Sequence, residues 1–492
     1  MDSPLTPRRQ RLLVAAVMSG LLLAMLDQSI VGTALPEIVR SLGGEDLYLW
    51  VVTAYLVPAT VTLPVYARLS DRYGRRALLL IGMVLFLAGS ALSASAQTME
   101  QLIAWRGLQG LGAGALESLS FILVADLFAG KRNAALQGAL AGLMGISFIA
   151  GPLVGGFLTD EVGWRWVFAV NLPIGLVALA VVAAALPAHI GRSEGRSTPI
   201  DLRGIALLTL ALGTILVGLS ERTHADARTG ALPGWTEPET GGLLIVGLAF
   251  LAAFVANERR AAAPIVPLWL FRDRRTAALL VAAATGAFGL FAGVLLLPRY
   301  FQGVRDVSAT HSGLLIYPLL LGVLVSVNVA SAWIATRLSF RTPLLVGLAL
   351  ATAGALGFAT FDAQTPDWQA LTFMALIGLG VGPMLSGLQI AMQRTVKPAQ
   401  IGAGMGTLIL LRQLGASIAL AAAESVYAAG ARSGGAGTSA ATATGDGVFA
   451  VTVAGALVAA AALLFLLPRG QGRLAPLPGT ADTPGRPATI TA

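Results

Sequence analysis

Five ionisable side chains stand inside long apolar stretches of this chain, where a charge requires a reason. They are Asp27, Arg106, Glu117, Arg412 and Glu424. If those stretches cross a bilayer, a charge near its centre costs roughly 2.5–3.5 kcal/mol, so such a residue usually faces a cavity or a partner. The chain has no cysteine and three histidines. Carboxylates are therefore the groups expected to carry protons, and no metal site is predicted.

The stretches that hold these residues have the length and composition of membrane spans. The mean hydropathy is +0.77, 56% of the 492 residues are hydrophobic, and 12% are charged. A bilayer core about 30 Å thick takes about 20 helical residues at about 1.5 Å each. The sequence therefore predicts an all-α membrane protein with fourteen spans. Their approximate bounds are 12–35, 48–67, 77–95, 101–126, 133–158, 166–186, 204–220, 241–257, 276–298, 311–333, 342–361, 369–392, 405–429 and 447–467.

Asp27 and Arg106 are predicted to meet inside the membrane. Asp27 lies about fifteen residues, or roughly 22 Å, from the start of the first span. Arg106 lies about five residues, or roughly 8 Å, from the opposite side along the fourth span, which runs in the reverse direction. In a core about 30 Å thick these depths coincide, so an ion pair is expected.

Glu117 lies about three turns beyond Arg106, on nearly the same face of the same span. Asp27 and Glu117 are predicted to bind and release protons or to recognise substrate, with Arg106 tuning both. The alternative is that each is a protonated acid hydrogen-bonded between helices. Glu424 is expected near the outer surface, without a functional role.

Lysine and arginine are distributed unevenly between the two sides of the predicted spans. Of 33 such residues, 24 fall in the terminal segments and in the loops on their side, and seven fall in the opposite loops. Because positive charge accumulates in cytoplasmic loops, both termini are predicted to be cytoplasmic and the protein to lie in the cell membrane. The net charge of +8 follows from this bias and does not indicate nucleic-acid binding.

Polar segments divide the chain into four parts. Residues 1–186 are predicted to form an N-terminal six-helix bundle, and residues 276–467 a C-terminal one. Between them, residues 187–275 hold a polar linker, two additional central transmembrane helices and an amphipathic cytoplasmic segment. Residues 468–492 are predicted to be a disordered cytoplasmic tail. The extra helices either fill space beside the bundles or help to build an oligomer, and no obligatory protein partner is indicated.

Short motifs follow one another along the first half of the chain. The first span holds LDQSIVGTALP, the turn after the second reads LSDRYGRR, the fourth opens with RGLQGLGAG, the fifth holds GPLVGG, and WRWVFAVNLPIG opens the sixth. In the turn, Gly74 permits a sharp backbone path, and Asp71 stands where its carboxylate can meet Arg75. Such a turn between two apolar spans concentrates charge at one membrane surface.

These motifs resemble signatures of the major facilitator superfamily, and nearly the whole chain resembles its fourteen-helix drug:proton antiporter branch of multidrug exporters. The resemblance implies the major facilitator fold, with two six-helix bundles plus two extra central helices. Three positions depart from the usual pattern. Ala67 replaces the first glycine of the turn motif, Ser29 replaces a threonine in the first span, and Ser147 replaces a glycine upstream of GPLVGG.

The resemblance assigns roles to two further groups of residues. It makes the turn a cytoplasmic gate formed by Asp71, Arg72, Gly74 and Arg75. It makes the glycine–proline stretch of the fifth span a leak-proof helix bend specific to exporters, formed by Gly151, Pro152, Gly155 and Gly156. Without the resemblance, the turn would be a basic loop that sets topology, and the stretch would serve close helix packing.

Polar and aromatic residues of several spans are candidates for a substrate path. They are Tyr55, Phe288, Phe291, Tyr317, Asn328, Gln389 and Arg412. Most aromatic residues at helical spacing are simply packed, and Arg412 has the alternative of extending its long side chain toward the cytoplasm.

The predicted function is proton-coupled export by alternating access. The expected partners are lipophilic or cationic drugs or similar small molecules, protons and the lipid bilayer, and the proton gradient supplies the energy without a cofactor. The same motifs fit a dedicated antibiotic or metabolite exporter, or a lipid translocator. A transporter-like sensor or an intramembrane enzyme is a remote alternative, because the sequence shows no catalytic constellation, nucleotide motif or sizeable soluble segment.

Overall fold

The computed structural model describes residues 7–127, 134–187, 201–221, 233–262, 264–337, 339–397, 400–431 and 438–467. Within these ranges the chain is almost entirely α-helical. Its helices fall into three groups along the sequence. The predicted tail at 468–492 and most of the polar linker lie outside the described residues.

The first group covers the first six predicted spans. Its helices are α1 (Pro7–Leu42), α2 (Tyr48–Tyr73), α3 (Arg75–Ala94), α4 (Met99–Leu127), α5 (Ala134–Glu161), α6 (Arg165–Ala169) and α7 (Asn171–Ala185). The short α6 leads directly into α7, and together they form one span of 21 residues. The second group is the pair α8 (Leu202–Glu221) and α9 (Leu243–Glu258).

The third group covers the last six predicted spans. Its helices are α10 (Arg274–Thr285), α11 (Phe288–Gly303), α12 (Ala309–Leu315), α13 (Tyr317–Arg337), α14 (Arg341–Phe358), α15 (Asp367–Thr395), α16 (Ile401–Ala431) and α17 (Thr438–Ala461). The pairs α10–α11 and α12–α13 each form one interrupted span, Arg274–Gly303 and Ala309–Ile334.

Successive spans run antiparallel, which gives the molecule two ends. We call the end with the α1–α2 and α3–α4 connections the distal end, and the end with the start of α1 and the α2–α3 turn the proximal end. The third group repeats the packing of the first: α2 and α3 pack on α4, just as α13 and α14 pack on α15. A parallel repeat of this kind is a known transporter architecture.

Twelve helical segments among the described residues are long and apolar enough to cross a membrane, where the sequence predicts fourteen. The two predicted spans outside this set correspond to α4 and α5, which have 29 and 28 residues. The first two-thirds of α4 hold Arg106, Gln109 and Glu117 among several glycines, which lowers its hydropathy. The side chains of α5 are described only in part. Fourteen spans therefore stay a prediction.

The α8–α9 pair packs beside both bundles. Val61 of α2 and Leu410 of α16 share one apolar cluster with Leu208 and Leu212 of α8 and Phe254 of α9. Towards the distal end, α8 is linked to both neighbours by hydrogen bonds. Trp50 Nε1 donates to Ser220 Oγ at 2.7 Å, and Ser425 Oγ donates to the carbonyl of Leu219 at 3.0 Å. The second group therefore lies along the boundary between the first and third groups.

The segment between α9 and α10 packs against α8, α9 and the third group. Its amide at Val266 donates to Glu258 Oε2 at 2.9 Å, and Val266 and Leu270 are buried while Trp269 is exposed. The segment therefore has one buried side and one exposed side. Its apolar side covers the cluster of α8 and α9 and the adjoining third group instead of facing a membrane surface alone.

Candidate functional site

Asp27 and Arg106 form an ion pair between α1 and α4, at the depth that the sequence predicts. Both side chains are buried. Arg106 Nη1 also donates to Gln109 Oε1 at 2.7 Å, and Arg106 Nε donates to the carbonyl of Val51 at 3.2 Å. The guanidinium therefore has charge compensation and additional hydrogen bonds, as a buried cation requires.

The second carboxylate oxygen of Asp27 is held by two amides that sequence reasoning missed. Oδ1 accepts from Gln109 Nε2 at 2.8 Å and from Asn171 Nδ2 at 3.1 Å. Both amides also reach Ser90 Oγ, at 3.2 Å and 2.8 Å respectively. Ser90 in turn donates to the carbonyl of Phe168 at 2.9 Å. The network thus joins α1, α3, α4 and the α6–α7 span.

For one of these missed residues, Gln109, the sequence contained a usable signal. Gln109 stands three residues after Arg106 in RGLQGLGAG, so a helix places both on one face. Asn171 stands in WRWVFAVNLPIG at the start of α7, but nothing in that spacing points it towards Asp27. Ser90 is one of several small residues in α3 and has no distinguishing pattern.

Tyr55, which the sequence predicts to line a substrate path, packs against this hydrogen-bond network. The Cζ atom of Arg106 lies 4.2 Å from the centre of the Tyr55 ring, and the hydroxyl donates to the carbonyl of Ala24 at 2.9 Å. The side chain is completely buried. In this structure Tyr55 therefore supports the charge pair and does not line an open route.

Glu117 lies at the contact between the first and third groups. Its Oε1 accepts from Gln28 Nε2 of α1 at 2.7 Å, and the side chain of Gln413 in α16 lies near it. Arg412, the neighbour of Gln413, acts on Glu117 electrostatically. The carboxylate is buried. One acidic group therefore connects α1, α4 and α16.

The two charged sites lie at different depths. Arg106 and Glu117 are eleven residues apart on α4, which corresponds to roughly 16 Å along the helix axis. The pair Asp27–Arg106 lies nearer the distal end, and Glu117 with Arg412 lies nearer the proximal end. Arg412 is partly buried. The first site is internal to one group, whereas the second is shared between two.

A third charged cluster, which we call the distal clasp, lies at the distal end. Arg299 of α11 donates from Nη1 to Glu424 Oε1 at 2.6 Å and from Nη2 to Glu45 Oε1 at 2.5 Å. Its Cζ lies 4.0 Å from the ring centre of Tyr427 and 4.7 Å from that of Tyr48. Glu45 and Tyr48 belong to the first group, so the clasp joins the two groups. The sequence reasoning placed Glu424 near the outer surface without a functional role and did not predict this ion pair.

Further hydrogen bonds link the same two groups at the distal end. Asp160 accepts from the backbone amides of Ala309 at 3.0 Å and Thr310 at 2.7 Å. Gln302 Nε2 donates to the carbonyl of Thr33 at 2.8 Å. A cavity of about 390 Å³ lies beside the clasp, with Arg299 and Glu45 in its wall.

The glycine–proline stretch of α5 serves close packing in this structure. A Cβ atom on Gly151 would fall on Ser29, one on Gly155 on Ile30, and one on Gly156 on Ala309. The carbonyl of Pro152 faces Gly313 equally closely. Gly151 and Gly155 thus pack α5 on α1, and Gly156 brings it against the third group. The α-helix continues through Pro152.

The α2–α3 turn has the sharp backbone path that its glycine predicts. Gly74 has a φ of 90°, which favours glycine, and its amide donates to the carbonyl of Ser70 at 3.0 Å. Arg75 Nη1 donates to Ser70 Oγ at 3.0 Å. The side chains of Asp71 and Arg72 lie outside the described residues, so the Asp71–Arg75 contact stays a prediction.

Among the described residues, the remaining candidates for a substrate path form no side-chain hydrogen bond or ion pair with either charged site. Phe288, Phe291, Tyr317 and Gln389 are partly buried. Asn328 lies on an exposed face of α13 beside Val325 and Val329 and donates to the carbonyl of Leu324, one turn back, at 2.8 Å. Its amide is therefore satisfied within its own helix. Among the described residues, no group of three or more acidic or histidine side chains is placed to hold a metal ion.

Comparison with known proteins places this geometry in a family. A family model described as Major Facilitator Superfamily matches residues 17–420. The multidrug transporter protein MdtP of Bacillus subtilis is 30% identical over 412 residues, which cover 84% of this chain and 74% of that protein. Multidrug resistance protein 3 of the same species is 32% identical over 410 residues, covering 83% and 78%. The efflux pump FUS6 of Gibberella moniliformis is 29% identical over 421 residues, covering 85% and 74%.

Solved structures show the same architecture. A crystal structure of the nucleoside transporter NupG superposes with a TM-score of 0.64, covering 94% of this chain and 100% of that one. A bacterial homologue of the lysosomal transporter Spinster superposes with a TM-score of 0.61. The sequence identities are 11% and 14%, so these likenesses establish the fold alone.

Proposed function

The chain belongs to the Major Facilitator Superfamily, and we propose that it is a proton-coupled exporter of lipophilic small molecules, including cationic drugs, that works by alternating access. It is a membrane transporter and not an enzyme. The relatives named as multidrug transporters and efflux pump support the direction of transport. The observation that carries the proposal is Glu117, a buried carboxylate that accepts a hydrogen bond from Gln28 in the first group and is attracted electrostatically by Arg412 of the third.

The proposed topology has fourteen spans, with the proximal end in the cytoplasm and the protein in the cell membrane. The length of α4 and α5 supports their assignment as the two spans beyond the twelve. The excess of arginine and lysine near the termini supports the orientation. The molecule then belongs to the fourteen-helix drug:proton antiporter type.

Alternating access requires one end to close while the other opens. Among the described residues, side-chain hydrogen bonds between the first and third groups lie at the distal end. This distribution supports a state that is closed to the outside. The turn at Gly74 would form the opposing cytoplasmic gate, with Asp71 and Arg75 engaged when the cavity faces outward.

Proton coupling is proposed to act through Glu117. When ionised, this carboxylate attracts Arg412 and accepts from Gln28. Protonation removes its charge and so weakens the link between α4 and α16, which frees the two groups to move. Asp27 and Arg106 would provide a fixed charge pair beside it, because their partners all belong to the first group. No cofactor enters this scheme.

A proton supplies enough energy for such a transporter. One charge crossing about 100 mV yields about 2.3 kcal/mol, and one pH unit yields about 1.4 kcal/mol. Together, about 3.7 kcal/mol sustains a substrate gradient of a few hundred-fold.

The proposal is tested by transport in liposomes that contain only the purified protein. We expect an imposed pH gradient to drive uptake of ethidium, a fluorescent lipophilic cation, and Glu117→Gln to remove the dependence on the gradient. Arg337→Gln, an exposed arginine at the end of α13, is the control and should behave as the wild type. If ethidium uptake by the wild type does not depend on the pH gradient, proton coupling is refuted.

A further inference from the structure

The α9–α10 segment, which we define as residues 259–275, concentrates positive charge at the proximal end. It holds five arginines and a single acid, Asp273. Four of the arginines are exposed, and among the described residues these four donate no side-chain hydrogen bond and form no ion pair: Arg259, Arg260, Arg272 and Arg274. The carboxylate of Asp273 accepts from two backbone amides in the first turn of α10, at 3.3 and 3.4 Å. The segment therefore carries a surplus of positive charge.

Both ends of the α9–α10 segment coincide with the ends of membrane spans. The span that contains α9 is Pro238–Glu258, and the span that contains α10 begins at Arg274. Asn257 Nδ2, at the end of α9, donates to Asp201 Oδ2, just before α8, at 2.6 Å. The end of α9 therefore lies beside the start of α8, and the segment lies where these spans leave the bilayer.

The α9–α10 segment packs one side on the protein and leaves two aromatic rings exposed. Val266 and Leu270 are buried, whereas Trp269 is 40% exposed and Phe271 is 36% exposed. The amide of Val266 donates to Glu258 Oε2 at 2.9 Å, and Leu270 belongs to the apolar cluster of the third group. The backbone is thus attached to the protein on one side, while both rings are available to the surroundings on the other.

The exposed rings distinguish this segment from a basic loop that only sets topology. The distribution of positive charge between the two sides of a membrane explains the arginines but not Trp269 and Phe271 among them. Apolar rings exposed to water lose the favourable free energy of burial, whereas tryptophan is favoured at the level of the lipid headgroups. Rings and arginines together therefore indicate a segment that contacts the headgroup region.

The charge of the segment selects among headgroups. A guanidinium binds phosphate through paired hydrogen bonds, and both zwitterionic and anionic phospholipids supply a phosphate. A zwitterionic headgroup also carries a cation, which a row of arginines repels. An anionic headgroup carries no such cation, and basic residues next to a membrane span attract it. Charge complementarity therefore favours the anionic lipid.

We propose that the α9–α10 segment is a binding surface for the headgroups of anionic phospholipids. Its four exposed arginines contact the phosphates, and Trp269 and Phe271 enter the interface beside them. Neither export nor proton coupling enters this argument, so the inference goes beyond the proposed function. Because the segment packs on the cluster of α8 and α9 and on that of the third group, a bound lipid anchors the junction between them.

The test measures lipid preference at the segment itself. Ala262 is exposed and the chain has no native cysteine, so a bimane fluorophore on Ala262→Cys reports locally. The full chain is placed in phosphatidylcholine nanodiscs. An increasing share of the lipid is then replaced by phosphatidylglycerol or by phosphatidylcholine that carries a nitroxide quencher near the headgroup end of an acyl chain. The ratio of the mole fractions that give half-maximal quenching is the preference.

Without changes to the arginines, we expect phosphatidylglycerol to quench at a roughly tenfold lower mole fraction than phosphatidylcholine. One arginine at an anionic surface contributes about fivefold, so contacts from two arginines suffice. Replacing all four exposed arginines of the segment by glutamine should reduce the preference to about twofold or less. Replacing the same four by lysine should keep most of the preference, because lysine retains the charge.

The control removes four positive charges from the same end of the molecule but outside the segment. It is Arg8→Gln/Arg11→Gln/Arg337→Gln/Arg341→Gln, and it should keep the preference. No preference in the unchanged segment would overturn the inference. So would an equal loss in the control and in the glutamine variant, because general charge at the proximal end would then be the cause. A lysine variant as weak as the glutamine variant would also contradict it.

A second measurement requires no change to the arginines. Phosphatidylglycerol with the nitroxide near its headgroup is compared with phosphatidylglycerol that carries it at the end of the acyl chain. We expect stronger quenching from the first, because the segment lies at the level of the headgroups. Equal or weaker quenching from the first would place the segment away from that level and overturn the inference.

Discussion

Arg106 is the largest completely buried side chain of the first group, and its environment shows what a charge needs in this interior. It has Asp27 as counter-ion, Gln109 and a backbone carbonyl as acceptors, and the face of the Tyr55 ring beside it. A buried pair of this kind is worth little relative to apolar packing, but losing one partner leaves an uncompensated charge. The members of the network therefore depend on one another.

Replacing Asp27 by asparagine should strongly destabilise the protein. The change leaves Arg106 charged and without its counter-ion, which costs about 3–5 kcal/mol in a buried site. We expect a lower midpoint of thermal unfolding in detergent. Glu37→Gln is the matched control, because Glu37 pairs with Arg40 on an exposed surface of the same helix and such pairs contribute little.

The double variant Asp27→Asn/Arg106→Gln distinguishes this explanation from general damage. If the unpaired charge is the cause, removing it should recover part of the lost stability, and the two effects will not add. Additive losses would contradict the ion-pair account.

At the level of residues, sequence reasoning found the Asp27–Arg106 pair but missed its neutral partners and the ion pairs of the distal clasp. Depth along two antiparallel spans was enough to pair Asp27 with Arg106. Ser90 and Asn171 could not be found in this way, because their contacts depend on how α3 and α7 are rotated about their axes. That rotation is set by packing in three dimensions, which a single sequence does not record.

Helix α4 is the central element of the first group, and glycines allow it to approach its neighbours. A Cβ atom on Gly110 would fall on the backbone of Tyr55 in α2, and one on Gly112 would fall on the backbone of Phe86 in α3. Close approach through small residues is a general device of membrane helices. It also holds Arg106 and Glu117 of this helix in place.

Gly110→Ala should therefore lower stability despite the better helix propensity of alanine. Overpacking of a tight interior costs about 1–3 kcal/mol, whereas alanine in an unhindered helix gains about 0.5–1 kcal/mol over glycine. Gly213→Ala in α8 is the control, because nothing lies within 4 Å of its added Cβ. Thermal unfolding should fall for the first variant and stay level or rise for the second. The opposite order would show that α4 is more loosely packed than described.

The distal clasp should hold the two groups together at the distal end. Arg299→Gln removes the cation that Glu45 and Glu424 share, so we expect the distal end to open more often. The distance between spin labels on Ser41→Cys and Ala359→Cys reports this motion, and the chain has no native cysteine to interfere. The labelled protein should show a larger share of long distances.

Arg305→Gln is the control for the clasp. Arg305 Nη2 donates to Asp367 Oδ1 at 2.7 Å, and both residues belong to the third group. Its loss removes an ion pair of similar type without touching the contact between groups. Equal opening in the two variants would mean that the clasp has no special role.

Helices as elements were largely predictable, but their interruptions were not. Apolar runs of about twenty residues located the spans. The breaks between α10 and α11 and between α12 and α13 fall within single apolar runs. At the first break the chain passes through Gly286 and Ala287, residue types that also occur freely within the helices. Hydropathy therefore contained no signal for it.

At the scale of the whole molecule, two repeated bundles face each other and α8–α9 lies along their boundary. The sequence suggested the repeat only faintly and left the place of the extra pair open. Contacts of α8 with both α2 and α16 now define that place. A single sequence does not contain this information, because an apolar helix shows no preference between lipid and an apolar groove.

The proposed fourteen-span topology, with the proximal end in the cytoplasm, makes a direct prediction for chemical labelling. A cysteine in place of Ser41, at the distal end, should react with an impermeant maleimide in intact cells. A cysteine in place of Lys131, between α4 and α5, should react only after permeabilisation, because both helices cross the membrane. Labelling of position 131 from outside would show that α4 and α5 do not both span.

The central claim is that substrate and proton exchange at Glu117. Its most direct test is proton release into a weakly buffered solution, followed with a pH indicator, when ethidium is added to the detergent-solubilised protein. The account predicts proton release in the wild type and in Arg337→Gln, and none in Glu117→Gln. Undiminished release from Glu117→Gln, or ethidium binding to the wild type without any release, would contradict it.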